Sequence, residues 1–215
     1  MNHHPLSPFP HRGLYVITRD DSSDVEACLH AVEAALRGGA VVVQYRAKPS
    51  LNPALAVDLL ALCRTFSVPL IINDDVSLAE RIGSDGVHLG RDDVSLKVAR
   101  SYLGDEAIIG VSCYDDLGRA INAEAEGASY VAFGRFFTSV SKPNAPTARL
   151  ETLTLARDRL HIPVVAIGGI TASNAATIVT AGATHLAVID AVFGQADPEQ
   201  AARILANNIK AHTPC

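Results

Sequence analysis

Eight short Val- and Ile-rich runs punctuate the chain: "LYVIT" (14–18), "VVVQY" (41–45), "PLIIN" (69–73), "GVHLG" (86–90), "AIIGV" (107–111), "YVAFG" (130–134), "PVVAIGG" (163–169) and "HLAVI" (185–189). Between them lie Ala- and Leu-rich stretches with helical spacing, among them 24–37, 54–66, 115–126, 147–159 and 172–181, with a terminal one at 198–209. Runs that stay apolar throughout read as strands buried on both faces, and strands alternating with helices make a parallel sheet covered by helices. "LRGGA", "AEGAS" and "VTAGAT" each set Gly just past a helical stretch and just before a strand. In 215 residues, this repetition fits a closed barrel better than a doubly wound sheet, which usually stops at about five or six strands. The segment "LYVITRDDSSD" holds no G-x-G-x-x-G either. The expected architecture is a single-domain α/β protein, a (β/α)₈ TIM barrel over 13–211 behind a flexible tail over 1–12.

Composition narrows the partners. The chain has 23 acidic and 18 basic residues, a net charge of −5, so its overall field repels nucleic acid and anionic membrane surfaces, and any anion must be held by local charges. No apolar stretch approaches the roughly 20 residues of a spanning helix, and "MNHHPLSPFPHR" lacks the apolar core of a secretory signal. A soluble cytoplasmic protein with small-molecule partners is expected, with no nucleic acid and no membrane. The pattern sets no oligomeric state. Cys28, Cys63, Cys113 and Cys215 share no C-x-x-C spacing, which reads as buried or incidental thiols. His3, His4 and His11 fall in the Pro-rich leader and receive no function.

In a parallel barrel, the residues just after each apolar run share one rim, where the βα loops build the site. Period-2 alternation turns Gln44, Arg46 and Lys48 to a common side as the second run ends. Taken alone, R-x-K also describes solvated loop cations. The third run delivers Asn73 and Asp74, and "HLGRDD" delivers Asp92 and Asp93. Carboxylates beside cations could form salt bridges, or could hold Mg²⁺, which takes one or two carboxylates and fills its shell with water and phosphate oxygens. "GRFFTSVSK" adds Ser139, Ser141 and Lys142, hydroxyls beside a cation that suit a phosphate. Gly168 and Gly169 follow the seventh run, either as a plain tight turn or as backbone that lets an anion approach, in the region where this fold recurrently binds phosphate. Two anionic handles are implied, the more highly charged one suiting a pyrophosphate. Ser112 and Cys113 follow the fifth run without a paired histidine in a recognisable motif, so departure of a stabilised leaving group is a better mechanism than nucleophilic attack by the protein.

These motifs, in this order, resemble the thiamine phosphate synthase family from "GLYVITRD" to "VIDAVFG". "VVVQYRAK" is similar to the family's Q-x-R-x-K strand, and "LIINDDVSLAERIGSDGVHLGRDD" to its I-I-N-D and G-V-H-L-G-Q-x-D segment. "IGVS", "YVAFGRFFTSVSK" and "VVAIGGIT" follow. The resemblance implies a transferase of thiamine biosynthesis that joins a hydroxymethylpyrimidine pyrophosphate to a thiazole phosphate with Mg²⁺, by a dissociative substitution that releases pyrophosphate. It implies that the segment Gln44, Tyr45, Arg46, Ala47 and Lys48 binds the pyrimidine substrate, with Gln44 on the pyrimidine. Arg46, Lys48, Asn73 and Lys142 would hold the pyrophosphate, Asp74 and Asp93 the Mg²⁺, and Ser112 would lie by both pyrimidine and pyrophosphate. Ser139, Val140, Ser141, Gly169, Ile189 and Asp190 would hold the thiazole phosphate. Arg46, Lys48, Ser112 and Lys142 are the implied catalytic set. Arg135 stands where the family usually has Pro, and Asp190 where it commonly has Ser. The carboxylate of Asp190 then either faces away, leaving only its N–H to the ligand, or is compensated by Arg135 or another cation.

Other readings are a thiazole tautomerase-like barrel, which would not need the metal and pyrophosphate set, and a non-catalytic sensor of a phosphorylated metabolite. A phosphosugar isomerase or epimerase would need a paired acid and base across the mouth, where this chain places cations.

Overall fold

The computed structural model of the chain describes residues 9–19, 24–47, 51–138 and 147–212. The strands are β1 Gly13–Ile17, β2 Ala40–Tyr45, β3 Leu70–Asn73, β4 Gly86–Leu89, β5 Ile108–Tyr114, β6 Tyr130–Gly134, β7 Val164–Ile167 and β8 His185–Val188. They pair in parallel in sequence order, and β1 also pairs with β8, closing the barrel. Helices α1 Val25–Arg37, α2 Pro53–Thr65, α3 Val76–Ile82, α4 Leu96–Leu103, α5 Leu117–Ala125, α6 Leu150–Arg159 and α7 Ala175–Ala181 alternate with the strands. The short α8 Asp190–Phe193 and the terminal α9 Pro198–Ala211 complete the ring. The expected (β/α)₈ barrel is therefore the observed one. No described helix is long and apolar enough to cross a membrane.

Each uniformly apolar run is partitioned by the pleat. Leu14, Val16, Val43, Tyr45, Ile72 and Val87 face outward into one large cluster with the helices. Tyr15, Ile17, Val42, Ile71, Tyr130 and Val165 face inward into a smaller one along the axis. Gly110 of β5 is small because Tyr130 of β6 fills the space beside it: a Cβ there would overlap the Tyr130 ring.

Caps decide which carboxylates remain for the rim. Asp24, Asn52, Asp75, Ser95, Asp116 and Asp197 each accept a backbone N–H in the first turn of the helix they precede. Of the paired aspartates after β3, Asp75 is thus committed to α3 through Leu78 N–H at 2.8 Å. Asp74 instead takes a left-handed backbone, φ 65°, a conformation Asp tolerates better than most residues.

The leader contributes to the barrel. Residues 1–8 lie outside the described residues, but Phe9, which the sequence places in a tail, stacks on Tyr130 with ring centroids 4.3 Å apart and lies 4.9 Å from the ring of His185. The open amino-terminal end of the barrel exposes these inward rings, and an aromatic side chain covers them. His185 is fully buried beneath it, with Nδ1 3.0 Å from the Thr184 hydroxyl and no hydrogen-bond partner at Nε2. Burial, reinforced by the charges of Arg12 and His11, lowers its pKa from 6.5 to about 3, against a small opposing effect of the Pro10 carbonyl.

The folded state binds the His185 proton more weakly than the unfolded chain. This contribution to stability is fully present above pH 6.5 and is lost as pH falls toward 3. At about 1.4 kcal/mol per pKa unit, acidification from pH 7 to pH 5 is expected to remove about 2 kcal/mol through this residue. Denaturant unfolding at both pH values, on the wild-type chain and on His185→Leu, measures it: the acid sensitivity of the variant should be smaller by that amount.

Candidate active site at the carboxyl ends of the strands

The strands end at one rim, and a cavity of about 340 Å³ opens there. Gln44, Arg46, Asn73 and Ser112 line it from β2, β3 and β5, while Gly169, Ile189 and Asp190 line it from the ends of β7 and β8. Gln44 is buried although polar, as its inward register beside Ile17 and Ile71 requires. Thr18 anchors the start of the next loop. Its hydroxyl accepts the Arg46 N–H at 2.9 Å and donates to the Arg46 carbonyl at 2.7 Å, while its own N–H donates to the Gln44 carbonyl at 3.0 Å. The backbone of Arg46 is thereby fixed although it lies beyond the last ladder residue.

Other implied residues fall elsewhere. Tyr45 turns outward into the helix-facing cluster, where its hydroxyl accepts the Asn52 N–H at 2.9 Å, and Ala47 packs on the same cluster. Asp74 donates its N–H to the His88 carbonyl at 2.9 Å. The Asp93 carboxylate accepts the Gly90 N–H at 2.6 Å and borders a separate groove with Arg91, Arg119 and Glu126. Lys48, Ser139, Val140, Ser141 and Lys142 lie outside the described residues.

The glycine pair after β7 has a packing reason. Gly168 and Gly169 adopt φ 100° and 66°, and a Cβ on either would overlap the loop after β6, at Arg135 and at the Thr138 carbonyl respectively. That loop is tied down by Phe136 N–H to the Ile167 carbonyl (3.3 Å) and Phe137 N–H to the Gly168 carbonyl (3.0 Å). Arg135 and Thr138 consequently line the cavity beside the glycines. The cation that accompanies Asp190 is Arg19, with Nε 3.8 Å from the carboxylate and a guanidinium N–H 3.5 Å from the Phe193 carbonyl.

Three functional candidates were invisible in the motifs. Tyr15, His88 and Tyr130 form the cavity floor with Ser112. Ser112 does have a histidine partner: Oγ lies 2.8 Å from His88 Nε2. The partner comes from the neighbouring strand 24 residues away, and, as the sequence reading has it, no recognisable motif links the two. Polar residues in mid-strand "GVHLG" and at the head of "YVAFG" were the available signal. Burial raises the pKa of both Tyr15 and Tyr130, keeping them neutral phenols. Cys113, beside Ser112, is buried on the outward face with its thiol pushed up to about 12, which leaves no thiolate to act as a nucleophile. Cys63 is likewise buried, and Cys28 is partly buried; neither is in a disulfide.

Among the described residues no three His, Cys, Asp or Glu side chains converge as a metal cage. Asp74 and Asp93 on successive rim loops offer hard oxygen donors, the complement Mg²⁺ accepts when a phosphate ligand supplies the remainder. Neither carboxylate is among the residues that line the cavity, Asp93 bordering the separate groove instead, so what the pair offers Mg²⁺ is oxygen-donor chemistry alone.

Fold and site together define a (β/α)₈-barrel protein with a small-molecule cavity at the carboxyl ends of its strands, polar at the mouth and along part of its floor. The chain belongs to the thiamine monophosphate synthase family, whose model matches residues 14–192. It is 54% identical over 203 residues to the thiamine-phosphate synthase of Methylococcus capsulatus, covering 92% of this chain and 89% of that one. It is 50% identical over 198 residues to the thiamine-phosphate synthase of Thioalkalivibrio sulfidiphilus, covering 91% and 94%. The solved thiamine phosphate pyrophosphorylase from Pyrococcus furiosus superposes with a TM-score of 0.82 at 32% identity, over 95% of this chain and 98% of that one.

Gly168→Ala tests the packing of the site. A side chain at φ 100° overlapping Arg135 should cost roughly 1–3 kcal/mol from the backbone alone and more from the overlap. A drop in the denaturant midpoint at constant m-value is the expected measurement.

Proposed function

We propose that the chain, working in the cytoplasm, condenses 4-amino-2-methyl-5-hydroxymethylpyrimidine pyrophosphate with 4-methyl-5-(2-hydroxyethyl)thiazole phosphate, giving thiamine phosphate and pyrophosphate. The observation that carries the reading is the convergence of Gln44, Arg46, Asn73 and Ser112 on one side of a single cavity with Gly169 and the Ile189–Asp190 turn on the other. Family membership and relatives named for this activity support it.

In this scheme Gln44 hydrogen-bonds the pyrimidine, while Arg46, Asn73 and Ser112 grip the pyrophosphate together with Lys48 and Lys142. Asp74 and Asp93 would hold Mg²⁺, which supplies charge neutralisation for the departing pyrophosphate. The C–O bond to pyrophosphate breaks first, and the electron pair leaves with the anion. The aminopyrimidine ring spreads the resulting positive charge, and the thiazole nitrogen then forms the new C–N bond. Arg46, its backbone held by Thr18, would present its charge at the leaving group from a fixed point of the rim, which is how a preorganised site lowers a charge-separating barrier. The apolar cavity walls, Ile17, Val165 and Ile167 among them, would keep water from the cation. The second substrate's phosphate would meet Gly169, the amides of Ile189 and Asp190, and the loop Ser139, Val140 and Ser141.

Mixing both substrates with Mg²⁺ and assaying thiamine phosphate tests the reading; isomerisation of a thiazole substrate, or binding without turnover, would replace it. Arg46→Ala is expected to lower kcat roughly 10²–10³-fold, the usual loss for one preorganised stabilising donor. Asp74→Ala should shift the Mg²⁺ titration to higher concentration, and chelation of the metal should abolish turnover reversibly. An unchanged titration would remove Asp74 from the metal site.

A further inference from the structure

A continuous hydrogen-bonded chain runs from the barrel axis to the cavity. The Tyr15 and Tyr130 hydroxyls are 2.8 Å apart, Tyr130 Oη is 3.0 Å from His88 Nδ1, and His88 Nε2 is 2.8 Å from Ser112 Oγ. Both tyrosines are fully buried, and Tyr15 has no second hydrogen-bond partner for its hydroxyl among the described residues.

Proton counting fixes the direction of this chain. Tyr15 Oη, Tyr130 Oη and His88 Nδ1 are joined by two hydrogen bonds. If Nδ1 carries a proton, three hydrogens compete for two bonds, and one buried O–H or N–H is left without an acceptor. If Nδ1 is bare, Tyr15 donates to Tyr130, Tyr130 donates to Nδ1, and every hydrogen is used. A buried donor without a partner carries the full cost of its desolvation, so the second arrangement is the stable one. Burial keeps both phenols protonated, so neither can escape the count by ionising.

We infer that Tyr130 and His88 are positioning residues, which hold His88 as its Nε2–H tautomer and thereby make Ser112 a hydrogen-bond donor to the bound substrate. The Nε2–H donates to Ser112 Oγ. The serine's own proton then has no protein acceptor among the described residues and points to the cavity that Ser112 lines. His88 cannot also take that proton, since the nitrogen facing Ser112 already carries one. The pair is thus the reverse of a nucleophilic Ser–His dyad. In the proposed synthase reaction, on which this assignment of the acceptor rests, Ser112 would donate to the pyrimidine pyrophosphate and strengthen that bond as negative charge gathers on the leaving group.

The tautomer can be read without substrate. In wild-type protein labelled with ¹⁵N-histidine at neutral pH, with the His88 signals assigned by their loss in His88→Gln, the expected pattern is a protonated Nε2 and a bare Nδ1; a protonated Nδ1 overturns the inference. Tyr15→Phe should keep this tautomer, because one bond still takes one proton. Tyr130→Phe should yield a mixture, because Nδ1 loses its donor, and retention of a single tautomer there would contradict the role of Tyr130. In the synthase assay His88→Leu should lower kcat on the order of 10–100-fold, the usual loss when an orienting partner is removed. KM for the thiazole phosphate should change little, and His88→Gln, which can still donate to Ser112, should recover much of the rate. A His88→Leu enzyme with wild-type kcat overturns the positioning role. If the wild-type chain makes no thiamine phosphate, the substrate assignment falls alone, and the tautomer result still decides the relay.

Discussion

Closing parallel strands into a barrel forces every strand to alternate between the axis and the helices, and forces all their carboxyl ends to one rim. Most of this molecule follows from that constraint. The axis is narrow, so inward positions must be filled from within: Tyr130 occupies the space left by Gly110, and Phe9 caps the opposite end. Toward the rim the filling gives way to polar groups. Gln44 and Asn73 are the last inward side chains of β2 and β3, Ser112 and Tyr114 line the cavity from the end of β5, and the cavity begins where apolar filling stops.

Loops complete the mouth by contacts between neighbours in the barrel order. The turn after β7 is glycine because the loop after β6 lies against it, and that packing brings Arg135 and Thr138 to the cavity. Thr18 at the end of β1 holds the start of the loop after β2, and Arg19 reaches the turn after β8 to meet Asp190. The Asp190 carboxylate is thereby paired with a cation supplied by the adjacent strand-end loop.

The fold was legible because apolar runs, helical spacing and glycine punctuation are local signals. Rim residues such as Gln44, Arg46, Asn73 and Ser112 were legible for a related reason: each is a polar residue at or just beyond the end of an apolar run, and topology alone sends such residues to one place. The floor was not. Tyr15, His88 and Tyr130 sit inside runs that look uniformly apolar or neutral, and their meeting depends on register between strands that are distant in sequence. Arg19 with Asp190, and the division of labour between Asp74 and the capping Asp75, likewise require the folded backbone. Tyr45 and Ala47 adjoin the inward positions in sequence, but the pleat carries them to the outer cluster.

Charge is distributed unevenly along the cavity. Arg46, Arg135 and Asp190 with its partner Arg19 belong to the rim, whereas Tyr15, Tyr130 and His88 form the floor. A reaction that separates an anion from an organic cation benefits from this arrangement, because a charged floor would bind one fragment tightly and hold it after the step. Phenol hydroxyls and a neutral imidazole can orient a hydrogen bond without adding a charge of their own. Burial acts on the phenols: by raising their pKa values it keeps both protonated beneath the cavity. The same desolvation that makes unpaired polar groups expensive therefore keeps the two phenols of the floor uncharged. The field that distinguishes leaving group from cation is left to the groups at the mouth.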